Sequence, residues 1–355
     1  MKVAIVTDAW RPQTNGVVTT LARTAECLGA LGHDVVMMTP EGLPTIACPT
    51  YPEIRLALFQ GRRVASWLER ERPDALHVAT EGPLGLAARN AARRAGLRFT
   101  TSYHTQFPQY LRARYPLPER CSYGALRAFH GAAARTMVGT KAVRRDLKRH
   151  GFRHLVYWSR GVDTELFRPR PEARLPYPGP ILIYVGRVAV EKSVEDFCRA
   201  RVGGTKLVVG GGPALATLAA RYPDVVFTGF KYGEELATLL AGADCFVFPS
   251  RTDTFGLVML EAMASGLPVA AYPVTGPIDV VRDGQTGCLR KDLAEAIGGA
   301  LRLGRAAPRL QALEYRWEQA TRQFLGNLVE ARGSAPARPP LHVRISAAIR
   351  GGRSP

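Results

Sequence analysis

Several patterns that would assign a chain to a redox, metal-dependent or membrane-spanning class are missing from these 355 residues. The six cysteines are widely spaced and form no CxxC pair, which argues against a zinc site and predicts reduced thiols in a cytosolic protein. No apolar stretch reaches the ~18 residues that a membrane-spanning helix requires. The chain has no Asp-x-Asp pair, so no metal is expected, and no GxGxxG loop, which disfavours a dinucleotide oxidoreductase.

The composition is that of a soluble globular protein, with 46% hydrophobic and 22% charged residues. The length predicts two domains, each large enough to bury a core. The N-terminal run MKVAIVTDAW predicts a first strand rather than a signal peptide, because its apolar run is short and Asp8 interrupts it.

Positive charge is in excess and is unevenly spread. The net charge is +18, and residues 1–175 carry 27 Lys and Arg against 14 Asp and Glu. Between 112 and 153 the ratio is eleven to two. Such a surface favours contact with a polyanion such as an anionic membrane, and an arginine-rich proteome is the alternative explanation. Nucleic acid is not expected as a partner, because the chain has neither an aromatic RNA-binding signature nor a zinc finger.

Short apolar runs that suit buried strands alternate with helical stretches along the chain, and a Pro- and Gly-rich segment divides the series. Repeated βα units imply parallel sheets with right-handed crossovers. We therefore predict an α/β protein of two doubly wound, Rossmann-like domains that face each other across a ligand-binding cleft. The predicted parts are a first domain, a linker, a second domain, a helix packing back across the interface, and a disordered tail, at 1–168, 169–180, 181–309, 310–332 and 333–355.

The stretch 250–268 places two carboxylates, Asp253 and Glu261, eight positions apart. The run 245–248 predicts a buried strand and 256–265 a helix, so Asp253 lies at the helix start and Glu261 about two turns further in. A carboxylate accepts two hydrogen bonds from a vicinal diol, and helix starts hold anions and sugar hydroxyls. We expect Asp253 to bind a sugar and Glu261 a ribose. The alternative is an acid favoured by the helix dipole and an unrelated surface Glu.

Two cations follow the first strand of the second half. Gly186 ends the run 181–186, and Arg187 and Lys192 then lie at a loop and a helix start. Cations spaced in this way can grip a diphosphate, with Arg as a planar fork and Lys as a point charge. They would also neutralise a nucleoside diphosphate as it leaves. Solvated surface charge is the alternative.

Weaker signals lie at other strand ends. Asn15 and Gly16 open a helix where backbone N–H groups can meet a pyrophosphate, although a simple βα turn explains them equally well. Gly211 lies in a GGGP turn that lets a ligand approach the backbone, and Phe230 could frame a base. His104 closes the fourth strand of the first half. A lone histidine is more often structural, but this one is expected to face the cleft.

Seven motifs, all in order, give the chain a family resemblance. They are NG at 15–16, SYHT at 102–105, RGVD at 160–163, VGRVAVEK at 185–192, GGGP at 210–213, SRTDTFG at 250–256 and EAMASGLPV at 261–269. On these motifs the chain resembles the retaining nucleotide-sugar glycosyltransferases of GT-B fold (glycosyltransferase family 4, group 1) over about residues 1–330. The resemblance implies a GT-B fold and a nucleotide sugar as donor substrate, with no cofactor.

The resemblance also implies a role for each candidate residue. Arg187 and Lys192 would bind the donor diphosphate, Glu261 would hold the ribose, and Asp253 would hold the donor sugar where the family commonly has Glu. His104 would touch that sugar near the reacting centre. The expected catalytic residues are His104, Arg187, Lys192 and Asp253, and the expected donor-binding residues are Asn15, Gly16, Gly186, Gly211, Phe230, Phe255, Gly256, Leu257 and Glu261.

Two further strings, YPVTGPIDVV (272–281) and EYRWEQATRQFLGNL (314–328), resemble a bacterial branch that includes lipid glycosyltransferases and α-mannosyltransferases. That branch implies transfer of a hexosyl unit from a UDP- or GDP-sugar to a hydroxyl, with a membrane lipid such as a diacylglycerol or a phosphoinositide as acceptor. The enzyme would be retaining, metal-independent and cytoplasmic, peripheral on the inner face of the plasma membrane. Three alternatives stay open: a soluble or polysaccharide acceptor, a sugar-nucleotide epimerase or hydrolase, and a non-catalytic anion- or nucleic-acid-binding protein.

Overall fold

The structure, a computed structural model, describes residues 1–13, 15–48, 51–114 and 118–333. All but the first residue of the predicted tail, 333–355, lie outside the described residues. None of the helices in the described part of the chain is both long enough and apolar enough to cross a bilayer. The strands are β1 (Lys2–Val6), β2 (Asp34–Met38), β3 (Ile46–Cys48), β4 (Tyr51–Leu56), β5 (Ala75–Val78), β6 (Thr100–Tyr103), β7 (Arg135–Val138), β8 (Leu155–Tyr157), β9 (Ile181–Val185), β10 (Thr205–Val209), β11 (Val226–Gly229), β12 (Cys245–Phe248), β13 (Val269–Ala271) and β14 (Gly287–Leu289). The helices are α1 (Gly16–Ala30), α2 (Gly61–Glu71), α3 (Pro83–Arg94), α4 (Phe107–Arg114), α5 (Glu119–His130), α6 (Lys141–Arg149), α7 (Val194–Arg199), α8 (Leu215–Arg221), α9 (Gly233–Gly242), α10 (Leu257–Ala264), α11 (Pro277–Val280), α12 (Leu293–Ala300), α13 (Ala306–Ala312) and α14 (Trp317–Asn327), with a 3-10 turn at Val190–Lys192.

The first sheet contains six parallel strands in the order β2-β1-β5-β6-β7-β8. Strand β1 is apolar on both faces: Val3 and Ile5 enter one apolar cluster, whereas Ala4 and Val6 enter another. A separate antiparallel hairpin, β3-β4, precedes α2. The run of apolar strands was therefore sufficient to predict the parallel sheet, and the short hairpin strands gave no such signal.

The second sheet is also parallel, in the order β11-β10-β9-β12-β13-β14. This is the doubly wound arrangement in which the chain changes direction between β9 and β12, and a crevice opens there at the carboxyl ends of the strands. The predicted α/β architecture of two doubly wound domains is confirmed. The crevice is where a ligand is expected to bind.

The prediction of one helix over 310–332 is wrong, because the structure has α13 and α14 joined by an extended junction. The N–H of Val162 donates to the carbonyl of Tyr315 at 2.9 Å, and Val162 also forms a bridge with Arg316. The junction therefore pairs with the end of the first domain instead of continuing the helix. Helix α13 packs on α10 of the second domain, whereas α14 packs on α1 and buries Phe324 against Trp158 in the first domain.

Candidate active site

Glycines shape the crevice at the carboxyl ends of β9 and β10. The backbone at Gly186 has a φ of 151°, and a Cβ placed there would lie 2.8 Å from the hydroxyl oxygen of Tyr184. A Cβ at Gly210 would lie only 1.9 Å from the carbonyl oxygen of Gly186. Only glycine fits at these two turns, and this allows the backbones that follow β9 and β10 to lie directly against each other. Arg187 follows immediately and is half-buried at its edge.

Lys192 and Asp253 form an ion pair in this crevice, although 61 positions separate them in the chain. The Lys192 Nζ lies 2.7 Å from the Asp253 Oδ2, and the two side chains are 20% and 16% exposed. Lys192 ends the 3-10 turn after β9, and Asp253 lies on the loop from β12 to α10. The two strands on either side of the change in chain direction thus bring together the predicted phosphate-binding cation and the predicted sugar-binding carboxylate.

Glu261 lies in the second turn of α10, half-buried between apolar neighbours. Burial raises the pKa of this carboxyl from 4.5 to about 7. Within the described residues its carboxylate accepts no hydrogen bond; only its backbone carbonyl is used, by the N–H and hydroxyl of Ser265. A half-buried acid without a protein donor is costly, and a ligand that supplies hydroxyl donors would satisfy it.

The start of α10 carries the three residues that were predicted to hold the donor sugar with Asp253. Gly256 has a φ of 83° and precedes the helix, and within the described residues the helix start has no side-chain cap. The N–H of Met259 donates to the carbonyl of Gly256 at 2.9 Å, so the N–H groups of Leu257 and Val258 are the ones that a ligand could use. Phe255 itself is buried and lies against Gly139 of the first domain, where a Cβ would approach its ring to 3.3 Å. Leu257 extends toward Gly16.

Asn15 and Gly16 bring the first domain to the same place. The Asn15 Oδ1 caps α1 by accepting from the N–H groups of Val17 and Val18 at 3.0 and 3.1 Å. A Cβ added to Gly16 would lie 3.2 Å from the Cδ1 of Leu257. The side chain of Asn15 is thus occupied by capping, whereas Gly16 marks a close approach of the two domains.

An exposed aromatic pair lies beside the glycine turn after β10. The rings of Phe230 and Tyr232 are stacked, with centroids 6.1 Å apart and an angle of 7° between planes, and they are 54% and 55% exposed. A Cβ at Gly211 would lie 2.4 Å from the Phe230 ring. Exposed rings over a backbone turn suit stacking with a nucleobase. Phe230 was predicted from the sequence and Tyr232 was not, although its position two residues after Phe230 was an available signal.

His104 lies after β6 in a buried polar chain. Its Nδ1 lies 3.1 Å from the Nη2 of Arg160, and its Nε2 lies 2.8 Å from the Oγ of Ser102. Because a guanidinium only donates, Nδ1 is the acceptor and the ring proton is on Nε2. Burial and the Arg160 charge lower the pKa of His104 well below 6.5, so the ring is neutral. Both ring nitrogens bond within the protein, and the expected contact of His104 with a donor sugar stays a prediction.

Arg160 was missed as an individual site residue, although it lies in the RGVD motif. Its guanidinium is buried and donates to the carbonyls of Trp158 and Ser159 as well as to His104. Burial lowers the pKa of Arg160 to about 9. The adjacent Gly161 is required because a Cβ there would lie 2.6 Å from Trp317 of α14.

Comparison with known proteins accounts for both halves of the chain. Residues 14–166 match the Glycosyltransferase Family 4 description, and residues 179–303 match Glycosyl transferases group 1. The chain is 32% identical to a GDP-mannose-dependent alpha-mannosyltransferase of Mycobacterium tuberculosis, over 81% of this chain and 83% of that protein. The chain belongs to glycosyltransferase family 4, group 1. A GDP-mannose-dependent alpha-mannosyltransferase of Corynebacterium glutamicum is also 32% identical, over 81% of this chain and 76% of that protein.

Solved structures support the GT-B fold of this glycosyltransferase. Sucrose-phosphate synthase from Thermosynechococcus elongatus superposes with a TM-score of 0.75 at 21% identity, over 98% of this chain and 99% of that one. HepE of Anabaena, solved in complex with UDP and glucose, gives a TM-score of 0.66 at 16% identity, over 92% and 98%. The predicted GT-B fold is confirmed by these neighbours.

The candidate site contains several of the predicted residues in contact with one another. Lys192 pairs with Asp253. Leu257 lies beside Gly16, as Phe230 lies beside Gly211. Among residues 1–13, 15–48, 51–114 and 118–333, no group of three or more His, Cys, Asp and Glu side chains is arranged to hold a metal ion.

Proposed function

We propose that this glycosyltransferase moves a hexosyl unit from a GDP- or UDP-sugar, GDP-mannose first among them, to a hydroxyl of a membrane lipid with retention at the anomeric carbon. The observation that carries the donor half is the Lys192–Asp253 ion pair beside the start of α10. Glu261 lies in the second turn of the same helix, and among the described residues its carboxylate accepts no hydrogen bond. The names of the mannosyltransferase relatives support GDP-mannose as the donor. The complex of HepE with UDP is the reason for testing UDP-sugars as well.

Different residues of the site bind different parts of the donor. Arg187 and Lys192 bind the diphosphate and stabilise the charge that develops as it leaves, with each charge-assisted hydrogen bond worth on the order of 1.5–3 kcal/mol. Glu261 accepts from the ribose diol, and Asp253 accepts from sugar hydroxyls.

Retention follows from attack on the face that the diphosphate leaves. The bond from the anomeric carbon to the acceptor oxygen forms as the bond to the phosphate oxygen breaks, and the departing phosphate takes the acceptor's proton. The protein contributes positioning, domain closure and leaving-group stabilisation, and the step needs no metal ion.

An exposed aromatic beside two arginines supports the lipid acceptor. Phe59 is 99% exposed on the turn before α2, with a φ of 57°, and Arg62 and Arg63 are exposed in the first turn of that helix. Because α2 leads into the parallel strand β5, it begins at the carboxyl edge of the first sheet, the edge that faces the cleft. An aromatic ring flanked by cations suits insertion at an anionic membrane surface.

A second basic surface lies on α6. Lys141, Arg145, Lys148 and Arg149 are exposed there. Each cation near an anionic membrane contributes about 1 kcal/mol. We therefore place the protein at the inner membrane surface as a peripheral enzyme of glycolipid biosynthesis.

A polyol phosphate acceptor is the second candidate. The chain is 35% identical to a D-inositol 3-phosphate glycosyltransferase of Mycobacterium tuberculosis, over 49% of this chain and 43% of that protein. This relation spans less than half of either protein, so the membrane lipid is tested first.

Mass spectrometry of the products tests the proposal. Purified protein is incubated with a panel of GDP- and UDP-sugars, and with anionic vesicles that contain diacylglycerol or phosphatidylinositol, or with inositol phosphate in their place. Glu261→Ala is the inactive control. A glycolipid that the control does not make identifies donor and acceptor together. Product with inositol phosphate alone would refute the lipid acceptor, and free sugar without any acceptor would identify a hydrolase.

A further inference from the structure

Thr254, the residue after Asp253, connects the loop that carries Asp253 to the first domain through two hydrogen bonds. The Oγ1 of Thr254 donates to the carbonyl oxygen of His104 at 2.6 Å. The carbonyl of Thr254 accepts from the Oγ1 of Thr140 at 3.1 Å. His104 follows β6 and Thr140 precedes α6, so two elements of the first domain grip one residue of the second.

A third hydrogen bond reaches Asp253 itself. The Nε2 of Gln106 donates to the backbone carbonyl of Asp253 at 3.2 Å. The carboxylate of the same residue pairs with Lys192 of its own domain at 2.7 Å. The backbone of Asp253 is therefore fixed by the first domain and its side chain by the second.

This division makes the sugar-binding geometry depend on the relative position of the domains. If they separate, the three interdomain hydrogen bonds are lost and the loop keeps only the bonds that it makes within the second domain. Because a displacement of about 1 Å at a reacting centre can cost on the order of a hundredfold in rate, a loop held by both domains is aligned only when they are together.

We infer that Thr254 is a positioning residue that couples closure of the two domains to alignment of Asp253 on the donor sugar. The inference rests on the proposed function, since it takes the sugar to bind at Asp253. The hydroxyl of Thr254 makes this coupling, because it donates to the backbone carbonyl of His104 in the first domain.

Thr254→Val tests the role, because valine keeps the shape and removes the donor. We expect kcat for hexosyl transfer to fall about tenfold, the value of one hydrogen bond to an otherwise unpaired carbonyl. The affinity for GDP or UDP, measured by calorimetry, should change less than about twofold, because the expected phosphate and ribose ligands lie in the second domain. Thr254→Ser keeps the hydroxyl and should restore kcat to within about twofold of wild type.

Gln106→Leu provides a second, independent variant that removes the bond to the Asp253 carbonyl. We expect its kcat to fall severalfold, and the double variant with Thr254→Val to lose less than the product of the two separate losses, since both act on one loop. Wild-type kcat in Thr254→Val, or equal losses in the Val and Ser variants, would overturn the inference. Absence of transfer by the wild type across the donor panel would instead refute the proposed function.

Discussion

Replacing Asp253 by asparagine should change nucleotide binding and sugar transfer in opposite directions. The Asp253 carboxylate pairs with Lys192 at 2.7 Å, so a diphosphate must share that cation. Solvent-exposed ion pairs contribute roughly 0.2–1 kcal/mol, and we take the upper end because both side chains are less than a quarter exposed. Since about 1.4 kcal/mol is tenfold in an equilibrium constant, the Asp253→Asn variant should bind GDP or UDP about two- to fivefold more tightly.

The same substitution should impair transfer. The amide of the Asp253→Asn variant can no longer offer a charged acceptor to the sugar hydroxyls, and a hydrogen bond to a charged group is worth roughly 1.5–3 kcal/mol. We therefore expect kcat/KM to fall by about ten- to a hundredfold. Calorimetry at low ionic strength measures the nucleotide affinity, and initial rates with the active donor measure transfer.

Glu261→Gln is the matched control, because it also neutralises a carboxylate of this crevice but should weaken nucleotide binding. Weaker binding of GDP and UDP to the Asp253→Asn variant would refute the reasoning, since it would mean that Asp253 orients Lys192 for phosphate instead of competing with phosphate for it. Tighter binding that persists at about 1 M salt would also contradict an electrostatic origin.

Three other perturbations follow from the site. Burial raises the pKa of Glu261 from 4.5 to about 7, so the folded protein retains a proton that the unfolded chain loses, and the free energy of unfolding should fall by at most about 3 kcal/mol as pH rises through this range. Glu261→Gln should abolish that loss in thermal unfolding. Nucleotide-sugar binding by the wild type should tighten between about pH 6 and 8 as Glu261 ionises, and Glu261→Gln should remove this pH dependence. Phe230→Ala should weaken nucleotide binding about 5- to 150-fold, because base stacking is worth roughly 1–3 kcal/mol. Phe59→Ala combined with Arg62→Glu and Arg63→Glu should weaken salt-sensitive flotation with anionic vesicles, since only the cations of α6 then remain, while leaving nucleotide affinity unchanged.

Leu310→Ala serves as the control for the two aromatic variants, since Leu310 is 65% exposed on α13. It should alter neither nucleotide affinity nor flotation. Equal nucleotide affinity in wild type and Phe230→Ala would place the base elsewhere. Flotation as strong as that of the wild type after the triple substitution would exclude the Phe59 surface as a membrane contact.

Local pattern was enough to predict the parallel sheets and the positions of Asp253 and Glu261. An apolar strand such as β12, and the glycine that ends α10, depend only on residues that are neighbours in the sequence. Rules for local sequence patterns therefore predict them. The pairing of Lys192 with Asp253 is different, because it depends on which strands become neighbours in the sheet. Nothing in the chain between these two residues, 61 positions apart, encodes that distance directly.

Tertiary contacts also explain the main error. The segment 310–332 has a helical composition throughout, but the bond from Val162 to Tyr315 gives the junction a better partner than its own helix. Likewise, the capping of α1 by Asn15 could be predicted from an Asn that precedes a helical stretch. The hydrogen bond between His104 and Arg160 could not, because it joins residues 56 positions apart. Propensity describes a segment alone, and packing decides among the conformations that it allows.

The return of α14 to the first domain sets the order in which the chain can fold during synthesis. The core of that domain includes Phe324, whose ring lies 4.9 Å from His77 and 4.8 Å from Trp158. A ribosome moving at about 5–20 residues per second reaches this phenylalanine roughly ten to thirty seconds after it passes the end of the first sheet. During that interval the second domain can complete its core, whereas the first still exposes a groove for a helix that has not been made. The domain that is translated first is therefore the one that is finished last.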